Sequence, residues 1–211
     1  MTLFEDPAQD LALAPGAMLL GRFAETADSA LLAALGRIIA AAPIRHMMTP
    51  NGGQMSVGMT NCGAAGWVSD RTGYRYDGRD PETGRPWPAM PQSFADLATR
   101  AAAAAGFAGF VPDACLINRY TAATRLSLHQ DRNERDLGAP IVSVSLGLPA
   151  VFLWGGLRRA QRPRRVRLVH GDVVVWGGPA RMTFHGIDPL RAADHALTGP
   201  LRYNLTFRRA L

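Results

Sequence analysis

Ile141-Val-Ser-Val-Ser-Leu-Gly-Leu-Pro-Ala-Val-Phe-Leu-Trp154 is the stretch that decides the fold. Its period of two predicts strands over Ile141–Leu148 and Val151–Trp154, because successive strand side chains point to opposite faces. Working outward, the same signal predicts strands near Ala114–Tyr120, Arg125–Gln130, Val166–Val169, Val173–Trp176, Met182–Gly186 and Arg202–Arg208. Turns such as Gly155-Gly156, His170-Gly171-Asp172 and Gly177-Gly178-Pro179 separate several of them. Short strands in succession, with Gly-rich turns and no helices between them, point to an antiparallel double-sheet jelly roll rather than a βαβ fold.

The N-terminal half differs. Thr26–Ala42 reads as a helix capped by Thr26 or Asp28, with Leu31, Leu32, Leu35, Ile38 and Ile39 as its apolar stripe and Pro43 as its stop. A second helix runs from about Gln92 to Ala105, packs through Phe94, Leu97 and Ala101, and is closed by Gly106. Between them, Thr49–Pro91 is rich in Gly and Pro and carries Trp67, Tyr74, Tyr76 and Trp87. Irregular segments of that length in a compact domain are usually functional. The expected class is therefore α+β, mainly β, in one domain over residues 1–211. It comprises a jelly-roll core over 112–211, two helices packed on it, and a covering segment over about 45–91.

A chain of 211 residues with 47% hydrophobic content can bury one sizeable core and is not disordered as a whole. No apolar run is long enough to span a membrane, and Met1–Asp10 lacks the basic start of a secretory signal. Cys62 and Cys115 fit neither a CxxC nor a zinc pattern, so two reduced thiols in a cytoplasmic protein are expected. The net charge is +6 and all 23 basic residues are arginine. Positive charge favours anionic partners, nucleic acid first, and arginine suits two-point phosphate contact. Arg158, Arg159, Arg162, Arg164, Arg165 and Arg167 form a basic run around one hairpin, which reads either as a phosphate track or as a solvated turn.

His129 and Asp131 lie two apart at the end of a strand, so they project together; His185, on another strand, can complete a triad with them. Two imidazoles and a carboxylate can occupy one face of iron(II) and leave open positions for other ligands. Zinc accepts similar ligands, and HxD alone is a frequent chance pattern. His46, His170 and His195 have no such companions in the sequence, and His170 looks like a turn residue. Arg202, Asn204, Thr206 and Arg208 share one parity on the last strand. Two arginines facing a core call for an anion, because unpaired buried charge is costly, and a dicarboxylate held by both is the simplest relief. An edge strand with solvated arginines is the alternative. Asn118 and Tyr120 share parity on an earlier strand and can add hydrogen bonds.

The stretches Pro112-Asp-Ala-Cys-Leu-Ile-Asn-Arg-Tyr120, Leu126-Ser-Leu-His-Gln-Asp131, Val142-Ser-Val-Ser-Leu-Gly-Leu-Pro149, Gly171-Asp-Val-Val-Val-Trp-Gly-Gly178 and Arg202-Tyr-Asn-Leu-Thr-Phe-Arg208 closely resemble the bacterial AlkB proteins. Met55–Gly63 and Pro86–Phe94 extend the resemblance over most of the chain. It implies an Fe(II)- and 2-oxoglutarate-dependent dioxygenase that uses O2 to demethylate N-alkylated bases in DNA, with RNA as a second substrate, releasing formaldehyde, succinate and CO2. It implies His129, Asp131 and His185 as iron ligands, and Asn118, Tyr120, Arg202, Asn204, Thr206 and Arg208 around 2-oxoglutarate, with Arg202 on the distal carboxylate. It implies a nucleotide-recognition lid in which Trp67, Tyr74 and Tyr76 meet the substrate, joined by Asn133 and Arg159. Trp67 would face His129 across a flipped base. A monomer with no membrane partner is expected. The match departs at Asn133, where the family pattern has an aspartate near the target base. A carboxylate favours a cationic base more than an amide does, and Glu134 is the neighbour that can supply one instead. Two other readings stay open here: a related dioxygenase acting on a small molecule or protein, and a nucleic-acid-binding module without catalysis.

Overall fold

Alternation of apolar and polar residues along one strand builds a sheet with two different faces, and the sheet at the centre of this protein shows why that matters. The structure, a computed structural model, describes residues 9–211; the reading of the N-terminal decapeptide falls, for residues 1–8, outside the described residues. The strands are β1 (Leu11–Ala14), β2 (Ala17–Leu20), β3 (Gly58–Gly63), β4 (Gly66–Asp70), β5 (Gly73–Asp77), β6 (Ala114–Tyr120), β7 (Leu126–His129), β8 (Ile141–Gly147), β9 (Ala150–Trp154), β10 (Arg164–Leu168), β11 (Val173–Trp176), β12 (His185–Ile187) and β13 (Arg202–Arg208). Helix α1 spans Asp28–Ala41 and α2 spans Gln92–Ala104.

Two antiparallel sheets form the jelly roll, one in the order β1-β2-β11-β8-β13-β6-β3 and one in the order β10-β9-β12-β7, while β4 and β5 form a separate hairpin. In the large sheet, Cys115, Ile117, Val142, Val144, Leu146, Leu205 and Phe207 pack with α1 and α2 through Leu31, Leu35, Ile38, Phe94, Leu97 and Ala101. The opposite parity faces the small sheet. There Leu116, Tyr120, Ile141 and Trp176 pack against Phe152, Trp154, Val166 and Leu168. The same inner face carries Asn118, Ser143, Ser145, Arg202, Asn204, Thr206 and Arg208, all buried. The sandwich thus has an apolar end and a polar end, and the polar end is where chemistry can be housed.

Strands β6, β11 and β13 match their expected bounds. The strand expected at Met182–Gly186 begins later, at His185, because a 3-10 turn over Gly178–Ala180 and its continuation occupy the preceding residues. Hairpin β1–β2 was not expected. Its signal is Leu11-Ala-Leu-Ala-Pro-Gly-Ala-Met-Leu-Leu20, a period of two broken by Pro-Gly, with Gly16 at φ +79°.

Helix α1 corrects the capping expectation. Its N-cap is Ala27, after a 3-10 turn over Glu25–Ala27, and neither Thr26 nor Asp28 caps it. Asp28 instead lies in the first turn, where a carboxylate complements the helix dipole, and its Oδ2 meets His170 Nε2 at 3.2 Å. His170 accepts a hydrogen bond from the Gly147 N–H and stacks on His195 at 4.8 Å, so this turn histidine has structural partners. Gly106 closes α2 at φ +90°, as the spacing predicts.

The segment over 45–91 is built into the fold rather than laid on it. Strand β3 pairs with β6 at the edge of the large sheet, with Cys62 opposite Cys115. Both thiols are free and buried. Arg45 pairs with Asp80, reaches Glu82 at 3.0 Å and lies over the Trp87 ring, which clamps the 77–87 loop beside β3.

Candidate active site

Strand pairing brings distant residues together. His185 on β12 lies directly opposite His129 on β7. Gly186 makes this approach possible, since a Cβ there would meet the Leu126 carbonyl at 2.6 Å. Asp131 follows two residues after His129. One ligand atom from each of His129, Asp131 and His185 lies within 4.8 Å of the others, the only such metal-competent group among the described residues.

Backbone contacts set the tautomers. His129 Nδ1 lies 2.9 Å from the Ser127 carbonyl and His185 Nδ1 lies 3.0 Å from the Thr183 carbonyl. A carbonyl only accepts, so each Nδ1 carries the hydrogen and each Nε2 keeps a lone pair for a metal. Burial, with His129 beside it, pushes the His185 imidazolium down to about 4, so the ring is neutral near pH 7. Burial alone would raise the Asp131 carboxyl, but the Arg208 guanidinium and the two imidazoles outweigh it and hold the group well below the usual range. Asp131 and His185 are thus held in their metal-binding protonation states.

Arg208 donates to Asp131 Oδ2 through Nε at 3.0 Å and Nη2 at 2.6 Å, and its Nε lies 3.3 Å from Glu134 Oε1. Glu134 also accepts from Arg181 Nη2 at 2.9 Å and from the Tyr76 hydroxyl at 2.7 Å. Two carboxylates and two arginines therefore form one buried cluster, and Tyr76 ties the β4–β5 hairpin to it. This revises three expectations. Arg208 finds most of its anionic relief within the protein. Tyr76 is an anchor of the hairpin and does not line the cavity. Glu134 is buried among these partners and offers no charge to a base at Asn133.

Arg202 is different. It is 1% exposed, yet it lacks a carboxylate partner among the described residues. Its Nη2 donates to Ser145 Oγ at 3.1 Å, its guanidinium lies 5.0 Å over the Tyr120 ring, and its Nε and Nη1 have no partner. Arg208 Nη1 and Asn118 Oδ1 are also buried without partners. These groups line a cavity of about 740 Å³ that reaches the His-Asp-His cluster. Asn204 and Thr206 line it too, but their polar atoms are wired locally. Asn204 Nδ2 donates to Ser143 Oγ at 2.7 Å, and Thr206 Oγ1 donates to Asn204 Oδ1 at 2.8 Å. Unpaired buried guanidinium donors beside a metal-competent triad fit an acid that chelates a metal at one end and ends in a carboxylate at the other.

At the mouth of the cavity, Trp67 and Tyr74 stack with ring centroids 5.6 Å apart and planes 17° from parallel. Asn133 bridges them: its Oδ1 accepts from Trp67 Nε1 at 3.3 Å and its Nδ2 donates to the Tyr74 carbonyl at 3.4 Å. Arg159 also lines the cavity, with its guanidinium 6.0 Å over the Phe184 ring. Sequence reasoning missed Arg181, which lies in a loop with no periodicity to mark it. It also missed Ser143 and Ser145, whose signal is the Val-Ser-Val-Ser alternation.

A double-sheet barrel holding a two-histidine, one-carboxylate cluster next to a buried, unpaired arginine defines an Fe(II)- and 2-oxoglutarate-dependent dioxygenase. The sequence profile of the 2OG-Fe(II) oxygenase superfamily matches residues 16–208. The chain is 58% identical to the alpha-ketoglutarate-dependent dioxygenase AlkB of Salmonella typhimurium, over all of this chain and 98% of that protein. It is likewise 58% identical to the AlkB of Escherichia coli, over 94% of this chain and 92% of that one. The solved structure of OsALKBH1 matches with a TM-score of 0.82 at 28% identity, covering 95% of this chain and 100% of the other. The chain belongs to the AlkB family. Its cofactors are Fe(II), 2-oxoglutarate and O2.

Proposed function

We propose that this dioxygenase removes alkyl groups from ring nitrogens of nucleobases, with DNA as its main substrate, in direct-reversal repair. The observation that carries the reading is the juxtaposition of the stacked Trp67–Tyr74 pair with the His129–Asp131–His185 cluster in one cavity. An aromatic platform beside a metal-competent triad suits a base turned out of its stack.

In this reading His129, Asp131 and His185 hold Fe(II). Arg202 holds the distal carboxylate of 2-oxoglutarate, with Asn118, Tyr120 and the free Nη1 of Arg208 around it; Asn204 and Thr206 keep the floor of that subsite in place. Bound iron, 2-oxoglutarate and O2 supply the oxidation: the methyl leaves as formaldehyde, 2-oxoglutarate becomes succinate and CO2, and O2 takes up the electrons. The protein's share is positioning and exclusion of water. Arg208 fixes Asp131, backbone carbonyls orient both imidazoles, and Phe152 and Trp176 wall the ring of His185. Trp67 and Tyr74 support the base, Asn133 and Arg159 meet its edge, and Tyr76 pins the hairpin that carries the platform.

The chain is proposed to act as one unit over residues 1–211, a monomer in the cytoplasm, with the 45–91 segment as its lid. No helix among the described residues is long and apolar enough to cross a membrane. The decisive experiment supplies an oligonucleotide bearing one N-methylated base and measures formaldehyde and succinate. Equal amounts, dependent on Fe(II), 2-oxoglutarate and O2, are expected; succinate without formaldehyde from any methylated base would reject the reading.

The β9–β10 hairpin supports a nucleic-acid partner. Arg158, Arg159, Arg162, Arg165 and Arg167 are exposed, and within the described residues only Arg165 of these five pairs with a carboxylate, that of Asp188. Arginine on an exposed edge strand also discourages edge-to-edge pairing, so a direct test is needed. Replacing Arg158 and Arg162 with alanine is expected to flatten the salt dependence of DNA binding, by about one unit of slope for each phosphate that is no longer neutralised. An unchanged slope would leave the hairpin as a solvated turn.

A further inference from the structure

The polarity of the cavity mouth follows from one amide. Trp67 Nε1 can only donate, so the Asn133 atom facing it at 3.3 Å must be the carbonyl oxygen. The second contact, from Nδ2 to the Tyr74 carbonyl at 3.4 Å, requires the same orientation. The oxygen of Asn133 is therefore turned toward Trp67 with one lone pair in use, and the hydrogen of Nδ2 not given to Tyr74 is the donor this side chain has left to offer. Arg159 also lines this cavity, again a donor and a cation. Among the described residues Asp131 is the single carboxylate lining the cavity, and Arg208 already binds it through two nitrogens. Glu134 is buried in its ion cluster. Arg125 and Arg132, also on the lining, add positive charge.

Methylated bases fall into two electrostatic classes. When the methyl goes onto a ring nitrogen that has no hydrogen, beside an exocyclic amine, as at adenine N1 or cytosine N3, the base becomes a cation whose edge is a donor. When it replaces the hydrogen of a ring lactam, as at guanine N1 or thymine N3, the base stays neutral and presents a carbonyl acceptor beside the methylated nitrogen. We propose that this site is selective for the second class: neutral N-methyl lactam bases, with the Asn133 amide and the Arg159 guanidinium donating to the carbonyl beside the methylated nitrogen. This rests on the base-demethylase reading above and names the substrate class of the same site. A cationic base here would meet donors with its own donor and positive charge with its own charge. Asn133 and Arg159 are exposed while the cavity is open; a bound base covers them, and a mismatched edge then leaves covered donors unpaired, which is how such a site discriminates.

The test is a panel of four otherwise identical oligonucleotides carrying 1-methylguanine, 3-methylthymine, 1-methyladenine or 3-methylcytosine. Formaldehyde release gives kcat/KM for each, and equilibrium affinity without O2 gives a readout independent of turnover. The two neutral bases are expected to exceed the two cationic ones about tenfold or more in both measurements. Asn133→Asp, which replaces the free donor with a charged acceptor, is expected to reverse the ratio. Asn133→Ala is expected to bring the two classes closer together. A wild-type preference for the cationic bases overturns the proposal, as does a ratio that Asn133→Asp leaves unmoved. If no base in the panel yields formaldehyde while 2-oxoglutarate is consumed, the demethylase reading itself fails and takes this inference with it. That outcome is recognisable because it shows no ratio at all.

Discussion

Arg202→Met is expected to raise the KM for 2-oxoglutarate by about two to three orders of magnitude while leaving the protein as stable as before or more so. The two effects have one cause. Arg202 is buried with two donor nitrogens unpaired, so folding this guanidinium into the barrel costs desolvation with little return, and burial pulls its pKa down accordingly. The return comes only with a carboxylate. Losing one partner of a buried charge-assisted pair typically costs about 2–5 kcal/mol of binding, which sets the scale of the KM change. Methionine fills similar volume without charge. Measuring initial rates against 2-oxoglutarate, with urea midpoints taken in its absence, checks both halves. A KM within about threefold of wild type would show that the distal carboxylate is held elsewhere.

Glu134→Gln is expected to lose about 3 kcal/mol of stability and most activity, although its carboxylate does not line the cavity. Its side chain is 1% exposed and stands between the Arg181 and Arg208 guanidinium groups. Breaking a buried ion pair from one side strands the other charge, at about 3–5 kcal/mol. The loss falls at the lower end because Arg208 retains Asp131 and Arg181 retains the carbonyls of Asp131 and Ala139. The activity loss follows from Arg208, which holds the Asp131 carboxylate. Tyr76→Phe, removing only the hydroxyl contact at 2.7 Å, is expected to cost about 1 kcal/mol and to act chiefly on substrate KM. Equal losses of kcat and stability in both variants would mean that the cluster is structural alone.

Parity makes much of this legible in the sequence. A period of two on β13 put Arg202, Asn204, Thr206 and Arg208 on one face, and they lie there, buried. It likewise placed Asp131 beside His129. Periodicity cannot say which anion meets which arginine. Nothing in the sequence separates Arg202, left with open donors, from Arg208, closed on Asp131 and Glu134, because that depends on how the loop after β7 folds back. Glu134 looked available for the base because it follows Asn133, yet adjacent residues in a turn point in different directions. Helix α1 starts at Asp28 rather than Thr26 because a 3-10 turn over Glu25–Ala27 occupies the residues before it, a distinction periodicity does not make.

The pairing of Cys62 with Cys115 across β3 and β6 has a practical consequence. Both side chains are fully shielded on the helix-facing side of the large sheet, and burial raises the Cys115 thiol well above its ordinary pKa, so neither reacts while the layers stay closed. A thiol-labelling reagent has to wait for β3 or the helices to part. The labelling rate of the unmodified protein therefore reads the opening of this edge directly, and its slowing on addition of metal, 2-oxoglutarate or DNA reads how far each ligand holds that edge shut.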